Sequence, residues 1–240
     1  MSVLTLRLAG PLQSWGASAR FSRRTTESAP TKSGVIGLLA AARGIQRDDD
    51  EQLQTLAALR FGVRIDQPGT RLRDFQTAIH WETDKSMPLS ERFYLADAVF
   101  VAAVEGDHHL LTDLHAALKA PVYPPFLGRR SCPPAQPVEL RLHPQHNLLE
   151  ALSSEPWQAS PWHARRHSRH PLVKLPALIE EPKSSMRAET IRDQPVSFAA
   201  HHRRHSLRTI VRHDVEIPHP LAAPSAPRHD PFDVLPEESA

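Results

Sequence analysis

Residues 30–34 combine the side chains and the position expected of an anion-binding site. They precede a helical pattern, so the unpaired N–H groups of a helix start would lie beside the Lys32 ammonium and the Ser33 hydroxyl. The sequence therefore predicts that Lys32, Ser33 and Gly34 bind a phosphate group. An ordinary helix cap at Ser33 is the alternative, and it is the more frequent use of such a pentapeptide. The glycine spacing of a Walker loop is absent.

Two turn-rich loops carry further side chains that suit nucleic acid. Residues 10–16 place Gln13 and Trp15 after a predicted strand, where an amide can bond a base edge and an indole can stack on a base. A core tryptophan that anchors the turn is an equally good interpretation. The loop at residues 128–134 holds Arg129 and Arg130, whose guanidinium groups suit phosphates. Solvated arginines are the weaker alternative there.

An alternating segment and an arginine-rich loop complete the predicted interface. Residues 72–77 alternate in polarity as one arm of a hairpin does, which places Arg73 and Gln76 on opposite faces. Arg23 and Arg24 lie in a polar loop that precedes the first predicted helix. We predict that these four side chains contact nucleic acid, and a solvated hairpin is the alternative for the first pair.

Histidines form two clusters in the C-terminal half, at residues 163–170 and 201–205. Their spacing permits chelation, but neighbouring arginines would repel a cation and no cysteine accompanies them. We therefore predict no metal site and no cofactor. No Ser-His-Asp or glycine-rich nucleotide pattern is present. A histidine that moves a proton in RNA cleavage is the one catalytic alternative that stays open.

The charge distribution points to a polyanionic partner. The whole chain of 240 residues carries a net charge of only +2. The stretch at residues 163–213, however, holds eleven Lys or Arg against four Asp or Glu, together with seven of the fifteen histidines. Such a stretch favours nucleic acid over a neutral metabolite. A solvated basic face without a ligand is the alternative.

Strand and helix patterns alternate in the first half of the chain. The predicted elements are strand 3–8, helix 34–42, a helical stretch capped by Asp48, strand 61–66, strand 98–104, helix 110–118 and strand 138–142. Gly44 is placed to end the first helix, and the continuous apolar run at 98–104 is typical of a central strand covered on both faces. This βαββαβ order predicts an α+β, ferredoxin-like fold of the RNA-recognition type.

Glycines and prolines divide the chain into regions. All nine glycines lie at or before Gly128, and sixteen of the twenty-three prolines lie after it. We therefore predict a ferredoxin-like domain at residues 1–143 with an inserted hairpin at about 67–95. A basic, loop-rich C-terminal extension at 144–219 would pack on it, followed by an acidic, proline-rich flexible tail at 220–240.

The sequence also excludes several classes of protein. It has no run of about 18 apolar residues and no signal-like start, so we predict no membrane contact and no export. The single cysteine, Cys132, excludes an internal disulfide and favours a cytoplasmic location.

Four of these segments, in this order, resemble the CRISPR-associated protein five family of subtype I-E, whose members are subunits of the Cascade surveillance complex. The matching segments are LRLAGPLQSWG at residues 6–16, PTKSGVIGLLAAARGIQRDD at 30–49, LRDFQTA at 72–78 and FLGRRSCP at 126–133. RDQPVSF at 192–198 is a weaker match. The resemblance extends from the first strand to about Pro218.

The resemblance implies a ferredoxin-like body with a thumb hairpin at about residues 67–95. Family members bind the 5′ handle of the CRISPR RNA, contact the backbone subunit CasC and the large subunit CasA, and place the thumb near the target DNA. Another subunit cuts the RNA in this subtype, so the resemblance implies a non-catalytic RNA-binding subunit. Relatives of subtype I-C cleave precursor RNA, so a metal-independent endoribonuclease that processes the repeat is the alternative.

Carried onto this sequence, the resemblance assigns roles to the candidate residues above. The handle-binding residues would be Gln13, Trp15, Lys32, Ser33, Gly34, Arg129 and Arg130, and the thumb residues would be Arg73 and Gln76. The sequence departs from the family pattern in a short connection to the thumb at 66–71 and in the His/Arg-rich segment after Pro161.

Overall fold

The computed structural model describes residues 1–16, 23–167, 171–181, 188–199 and 201–221. Within them the strands are β1 (Ser2–Ala9), β2 (Leu12–Gln13), β3 (Arg23–Arg24), β4 (Arg60–Gln67), β5 (Thr70–Gln76), β6 (Ser90–Ala96), β7 (Val99–Gly106), β8 (Glu139–Pro144), β9 (Leu172–Glu180), β10 (Ala188–Ser197) and β11 (Arg204–Pro218). The helices are α1 (Lys32–Arg43), α2 (Asp50–Ala57), α3 (His108–Lys119), α4 (Leu148–Ser154) and α5 (Pro161–Arg166). The protein is α+β, as the sequence predicts.

A seven-stranded antiparallel sheet organises the molecule, in the order β10-β11-β9-β4-β7-β1-β8. Strand β7 lies near its middle. Because successive side chains of a strand point to opposite faces, Phe100 and Ala102 enter one core and Val101 and Ala103 enter the other. Helices α1, α2 and α3 supply the first core, and α4 supplies the second. The predicted central strand covered on both faces is confirmed.

The helix ends show which residues cap them. Thr31 is the N-cap of α1, because its backbone is extended and its hydroxyl accepts the N–H of residue 34. The predicted cap, Ser33, lies inside the first helical turn instead. Asp49, not Asp48, caps α2, because its carboxylate accepts the backbone N–H of residue 52. Gly44 ends α1 in a left-handed conformation with φ of 75°, as the sequence predicts.

Strands β5 and β6 form the predicted hairpin, which we call the thumb. They pair from Thr70 opposite Ala96 to Gln76 opposite Ser90. The short strands β2 and β3 pair with β6 and join the thumb to the body. Every residue of β5 is exposed, whereas Tyr94 and Leu95 of β6 are buried in the first core, so the thumb is attached to the body through β6.

The C-terminal part differs from its predicted loop-rich character, because β9, β10 and β11 extend the main sheet. The three prolines within these strands occupy positions where a strand tolerates them. Pro195 lies on the edge strand β10 beside a register shift, and Pro218 is the last residue of β11. Pro176 lies beyond the part of β9 that pairs with β4.

This extension shares one sheet with the first half of the chain. Gly62 of β4 pairs with Ile179 of β9, so the boundary predicted at residue 143 does not separate two sheets. The predicted acidic tail lies outside the described residues from residue 222 onward. Among the described helices, none is long and apolar enough to cross a membrane.

A buried ion pair attaches the segment after α4 to the sheet. Arg64 and Asp66 of β4 both have fully buried side chains, with 2.7 Å between Nε and Oδ1. Arg64 also donates to the carbonyl oxygens of Leu152, Glu155 and Pro156. Burial raises the pKa of the Asp66 carboxyl, and the hydrogen bond and charge of Arg64 oppose that rise.

The substitution Arg64→Met is expected to lower the free energy of unfolding by about 3–5 kcal/mol, because Asp66 stays buried without its cation. Urea unfolding measures the loss. The control is Lys174→Met, which breaks the exposed pair of Lys174 with Asp214 and should cost less than about 1 kcal/mol. Equal losses in the two variants would contradict the structural role of the buried pair.

Candidate nucleic-acid interface

A large cleft of about 1440 Å³ lies between the C-terminal strands and the loops that precede α1. Its acidic lining residues are Glu27, Glu189 and Asp193. Its arginines are Arg24, Arg129, Arg192, Arg203, Arg204, Arg208 and Arg212. The cleft therefore has more than twice as many arginines as carboxylates, which suits a polyanion.

A second cavity of about 740 Å³ adjoins this cleft. The two share Ser14, Thr31, Gly128 and Arg203 among their lining residues, so they form one continuous depression. The second cavity also contains Arg130, which is exposed. We refer to the pair as the large cleft and the side cavity.

Gln13 and Trp15 are fully buried, which corrects their predicted contact with RNA. The Gln13 amide donates to the carbonyl oxygens of Leu8 and Ala98 at 3.0 and 2.7 Å. Its oxygen accepts the Trp15 indole N–H at 3.0 Å. Both polar side chains are therefore satisfied inside the protein, and the core interpretation of this loop is the correct one.

Lys32 and Ser33 are also buried, so the start of α1 is not an open anion site. The backbone N–H of Lys32 donates to the Asp193 carboxylate at 2.8 Å, and the N–H of Gly34 donates to the Thr31 hydroxyl. The protein's own carboxylate thus lies where the sequence predicts a phosphate. A Cβ on Gly34 would come within 2.8 Å of the Trp15 ring, so close packing explains this glycine.

The Lys32 ammonium pairs with Glu180 of β9 at 2.9 Å. Burial lowers the pKa of Lys32, and the charge and hydrogen bond of Glu180 oppose that change. The Lys32 side chain is buried against Glu180 and lines neither cavity. The predicted phosphate contact of Lys32 is therefore replaced by a structural ion pair.

Asp193 connects three elements through one carboxylate. Besides the N–H at the start of α1, it accepts from Arg208 of β11 through Nε at 2.6 Å and Nη2 at 2.9 Å. Both residues are buried. The third guanidinium nitrogen of Arg208, Nη1, is buried without a partner among the described residues, in a side chain that lines the large cleft.

Gly128 positions the loop that carries Arg129 and Arg130. Its φ is +84°, and a Cβ there would lie 1.8 Å from the carbonyl oxygen of Ser14, so no other residue fits. Arg129 donates to the carbonyl oxygen of Arg24 at 2.9 Å and lies over the Tyr94 ring at 4.7 Å. The structure thus brings Arg24, Arg129 and Arg130 to the joined cavities.

The remaining predicted residues lie on the thumb side. Arg73 pairs with Glu91 and lies 4.6 Å from the centre of the Phe75 ring. Arg23 lies 3.9 Å from the same Glu91 carboxylate. Gln76 is exposed at the end of β5. Arg23, Arg73 and Gln76 do not line either cavity, so they form a surface separate from the cleft.

The sequence analysis did not single out Arg192, Arg203, Arg204 and Arg212. The basic charge of residues 163–213 indicates a polyanion-binding segment, but a loop prediction for that segment does not say which arginines share a face. Arg204, Arg208 and Arg212 are spaced by four residues, which places them on one face once the segment is known to be a strand. Arg208 pairs with Asp193. Among the described residues, no ion pair with a carboxylate is formed by Arg24, Arg192, Arg203, Arg204 or Arg212.

The cations in the depression repel one another. Desolvation lowers the pKa of the Arg203 guanidinium, and the nearby Arg47 lowers it further. Desolvation likewise lowers the pKa of His205, with Arg203 adding to the effect and Asp193 opposing it. A bound polyanion would relieve this repulsion.

The histidine clusters show no arrangement for a metal. Within the described ranges, no three His, Cys, Asp or Glu side chains are placed to hold an ion. His163 and His167 lie edge-on to the Trp157 ring, at 5.9 and 6.1 Å between ring centres. His170 lies outside the described residues.

Comparisons with known proteins found a matching family model and a similar curated protein. A family model described as CRISPR-associated protein (Cas_Cas5) matches residues 3–211. The CRISPR system Cascade subunit CasD of Escherichia coli (strain K12) is 41% identical over an alignment of 157 positions, and the match covers 58% of this chain and 70% of that protein.

Two solved structures are similar over nearly the whole chain. One, described as a CRISPR RNA-guided surveillance complex, has a TM-score of 0.73 at 32% identity and covers 92% of this chain and 93% of that chain. Another, described as the crystal structure of a Cas protein, has a TM-score of 0.65 at 34% identity and covers 92% and 97%.

The fold and the cleft define an α+β protein with a strongly cationic depression. The chain belongs to the CRISPR-associated protein (Cas_Cas5) family, because the family model spans most of its length. The resemblance predicted from the sequence motifs is therefore confirmed.

The substitution Asp193→Ala is expected to lower the free energy of unfolding by about 3–5 kcal/mol, because it leaves the buried Arg208 without its carboxylate. Chemical denaturation measures the loss. The double variant Asp193→Ala with Arg208→Met should be more stable than the single variant, because no buried charge is left unpaired. A double variant that is less stable by the full sum of two single losses would refute this coupling.

Proposed function

We propose that this chain is a non-catalytic, RNA-binding subunit of a subtype I-E Cascade surveillance complex in CRISPR defence, and that the large cleft and side cavity bind the 5′ handle of the CRISPR RNA. The similarity to the Cascade subunit CasD and to a chain of an RNA-guided surveillance complex supports this assignment. The proposal requires no cofactor.

The observation that carries the proposal is the set of unpaired arginines in the large cleft. Arg24, Arg192, Arg204 and Arg212 are exposed there, and none has a carboxylate partner among the described residues. Cations held together at this density suit a phosphate backbone, which supplies one negative charge per nucleotide. A neutral ligand would leave their repulsion uncompensated.

The strand order supports the ferredoxin-like description of the body. Strands β4, β7, β1 and β8 are adjacent in that order, and α1 and α3 pack on one face of them. A βαββαβ chain gives this arrangement when each helix crosses the same face. The three C-terminal strands then extend the sheet beyond β4 and form one wall of the large cleft.

The thumb supports contacts with partners outside this chain. Its end exposes large apolar side chains, among them Trp81 at 85% and Ile79 at 69% of their surface. Apolar surface of this kind on a projecting hairpin is typical of an interaction site. We propose that the thumb, with Arg73 and Gln76, lies near the target DNA, and that neighbouring surfaces contact CasC and CasA.

A metal-independent endoribonuclease that processes repeat RNA is the second candidate. His202 and His205 line the large cleft, and Tyr123 lines the side cavity, so proton-transferring groups are near the proposed RNA path. We favour binding without cleavage, because burial, together with the charge of Arg203, lowers the pKa of His205 and disfavours the imidazolium that a general acid needs.

Replacing Arg192 and Arg204 together by alanine is expected to weaken RNA binding by about tenfold at about 0.15 M salt, because two phosphate contacts are lost. The slope of log affinity against log salt should become shallower by about 1.4, at about 0.7 per contact to a single strand. Filter binding with complex assembled on labelled CRISPR RNA measures both quantities.

The matched control is Arg141→Ala. Arg141 is exposed on β8, at the opposite edge of the sheet from β10, and lines neither cavity. Affinity and salt slope should both stay at the wild-type values. An unchanged slope in the double variant would count against the cleft as the RNA site.

Labelled repeat RNA incubated with the purified chain in EDTA is expected to stay intact. The measurement is a denaturing gel over a time course. Cleavage that disappears in the variant His205→Ala would establish the endoribonuclease and overturn the non-catalytic assignment. Cleavage that persists in this variant, in His202→Ala and in Tyr123→Phe would point to a contaminating nuclease, so the wild-type chain must then be repurified and retested to the same criterion.

A further inference from the structure

The large cleft has aliphatic side chains among its arginines, which a phosphate backbone does not require. Ile191 of β10 pairs with Arg208 of β11, and Leu178 of β9 pairs with Arg212, and all four line the cleft. Residues directly opposite each other in an antiparallel pair share a face, so each of these arginines lies beside an aliphatic side chain. Such a surface suits a peptide that carries both acidic and apolar side chains.

Along β11 the two kinds of side chain alternate on one face. Arg208, Ile210 and Arg212 follow one another at intervals of two residues, about 6.6 Å each in a strand, and all three line the cleft. Arg212 is exposed, and Nη1 of Arg208 is buried without a partner among the described residues. The face therefore presents a cation, an aliphatic side chain and a second cation.

The acidic segment at residues 233–237 has the complementary pattern in its sequence. Asp233, Leu235 and Glu237 also follow one another at intervals of two residues. Pro236 disfavours a helical backbone at the residue before it, so the sequence favours an extended segment. In such a segment the three side chains share one face at the spacing of the three on β11. The segment lies outside the described residues.

The chain is long enough to bring this segment to the cleft. Near the last described residue, the ring of His219 is hydrogen-bonded to α5 and accepts the backbone N–H of Leu221. Pro218 is six residues from Arg212 along β11, a distance of about 20 Å. Twelve residues separate Leu221 from Asp233, and an extended chain of that length spans up to about 40 Å.

The charges of the two partners are also complementary. Residues 229–240 contain four carboxylates and no Lys or Arg. The large cleft is lined by seven arginines and three carboxylates. An acidic segment in the cleft would reduce the repulsion among these arginines. RNA carries one negative charge per nucleotide, so an RNA strand would compete for the same cations.

We propose that residues 233–237 of this chain lie along β11 in the large cleft until CRISPR RNA displaces them. Asp233 and Glu237 contact the arginines on either side of Ile210, and Leu235 packs on that isoleucine. The inference rests on the proposed function of the cleft and goes beyond it, because it adds an internal competitor of RNA.

The size of the effect follows from the tether. A segment held on a short tether has an effective concentration of the order of 1 mM. If its intrinsic Kd for the cleft is about 0.1 mM, the cleft is free about one tenth of the time and the apparent RNA affinity falls about tenfold. RNAs that make few contacts would then be excluded from the cleft.

The first test measures RNA affinity of full-length, RNA-free chains by filter binding. The variant Asp233→Asn with Glu237→Gln is expected to bind CRISPR RNA about tenfold more tightly, because the competitor no longer occupies the cleft. The variant Leu235→Ser keeps every charge and should also tighten binding several-fold. Tighter binding in the charge variant alone would reflect only the general loss of negative charge and would overturn the proposal.

The matched control is Val234→Ser, which removes a neighbouring aliphatic side chain on the opposite face of an extended segment. It should leave RNA affinity unchanged. Thermal unfolding verifies that the three variants are as folded as the wild-type chain. Equal tightening by Val234→Ser and Leu235→Ser would contradict the proposed register on β11.

Photocrosslinking tests the contact directly. In the full-length variant Leu235→p-benzoylphenylalanine, irradiation without RNA is expected to join residue 235 to β9, β10 or β11, as located by mass spectrometry. An excess of CRISPR RNA should abolish this link. Arg212→Glu should weaken it, whereas Arg141→Glu, at the opposite edge of the sheet and outside both cavities, should not. A link found only between two chains would overturn the intramolecular contact in favour of a second copy.

The outcomes separate this inference from the proposed function. If the variants at Asp233, Glu237 and Leu235 change neither affinity nor crosslinking while those at Arg192 and Arg204 weaken RNA binding, the tail contact is wrong and the cleft assignment stands. A crosslink in the cleft that RNA does not remove would refute the competition. If the crosslink forms but the variants at Arg192 and Arg204 bind RNA normally, the proposed function of the cleft fails, and the competition fails with it.

Discussion

The buried ion pair between Asp193 and Arg208 holds the C-terminal strands against the start of α1. One carboxylate accepts two bonds from a guanidinium and one from a helix N–H, so β10, β11 and α1 meet at a single polar point. A charge buried there is tolerated only with its partner. The large cleft lies beside this contact, because Asp193 and Arg208 both line it.

Arginine has two uses in this protein. Arg64 and Arg208 are buried with aspartate partners and hold strands and neighbouring segments together. Arg204 and Arg212, on the same strand as Arg208, are exposed in the cleft without such partners among the described residues. The presence or absence of a nearby carboxylate decides whether an arginine stabilises the fold or stays available to a polyanion.

Two loops from distant parts of the chain form the wall opposite these strands. Ser14 donates its backbone N–H to the carbonyl oxygen of Leu127, and Gly128 lies so close to Ser14 that a side chain would not fit. This close approach fixes the loop whose next residues, Arg129 and Arg130, face the two cavities. The buried Trp15 stabilises the same junction from inside, although its residue type suggested a surface role.

Local patterns in the sequence determined the first half of the fold. The apolar run that forms β7, the helix ended by Gly44 and the hairpin of the thumb are set by periodicity and turn residues that act over a few positions. The motifs also determined the family.

Only the tertiary structure decided that Lys32 pairs with Glu180 and that Asp193 occupies the start of α1, because the paired residues lie about 150 positions apart and no local pattern connects them. Likewise, composition alone shows that residues 163–213 are basic. Which of their arginines face the cleft depends on the register of β11 against β9 and β10, and long-range strand pairing sets that register.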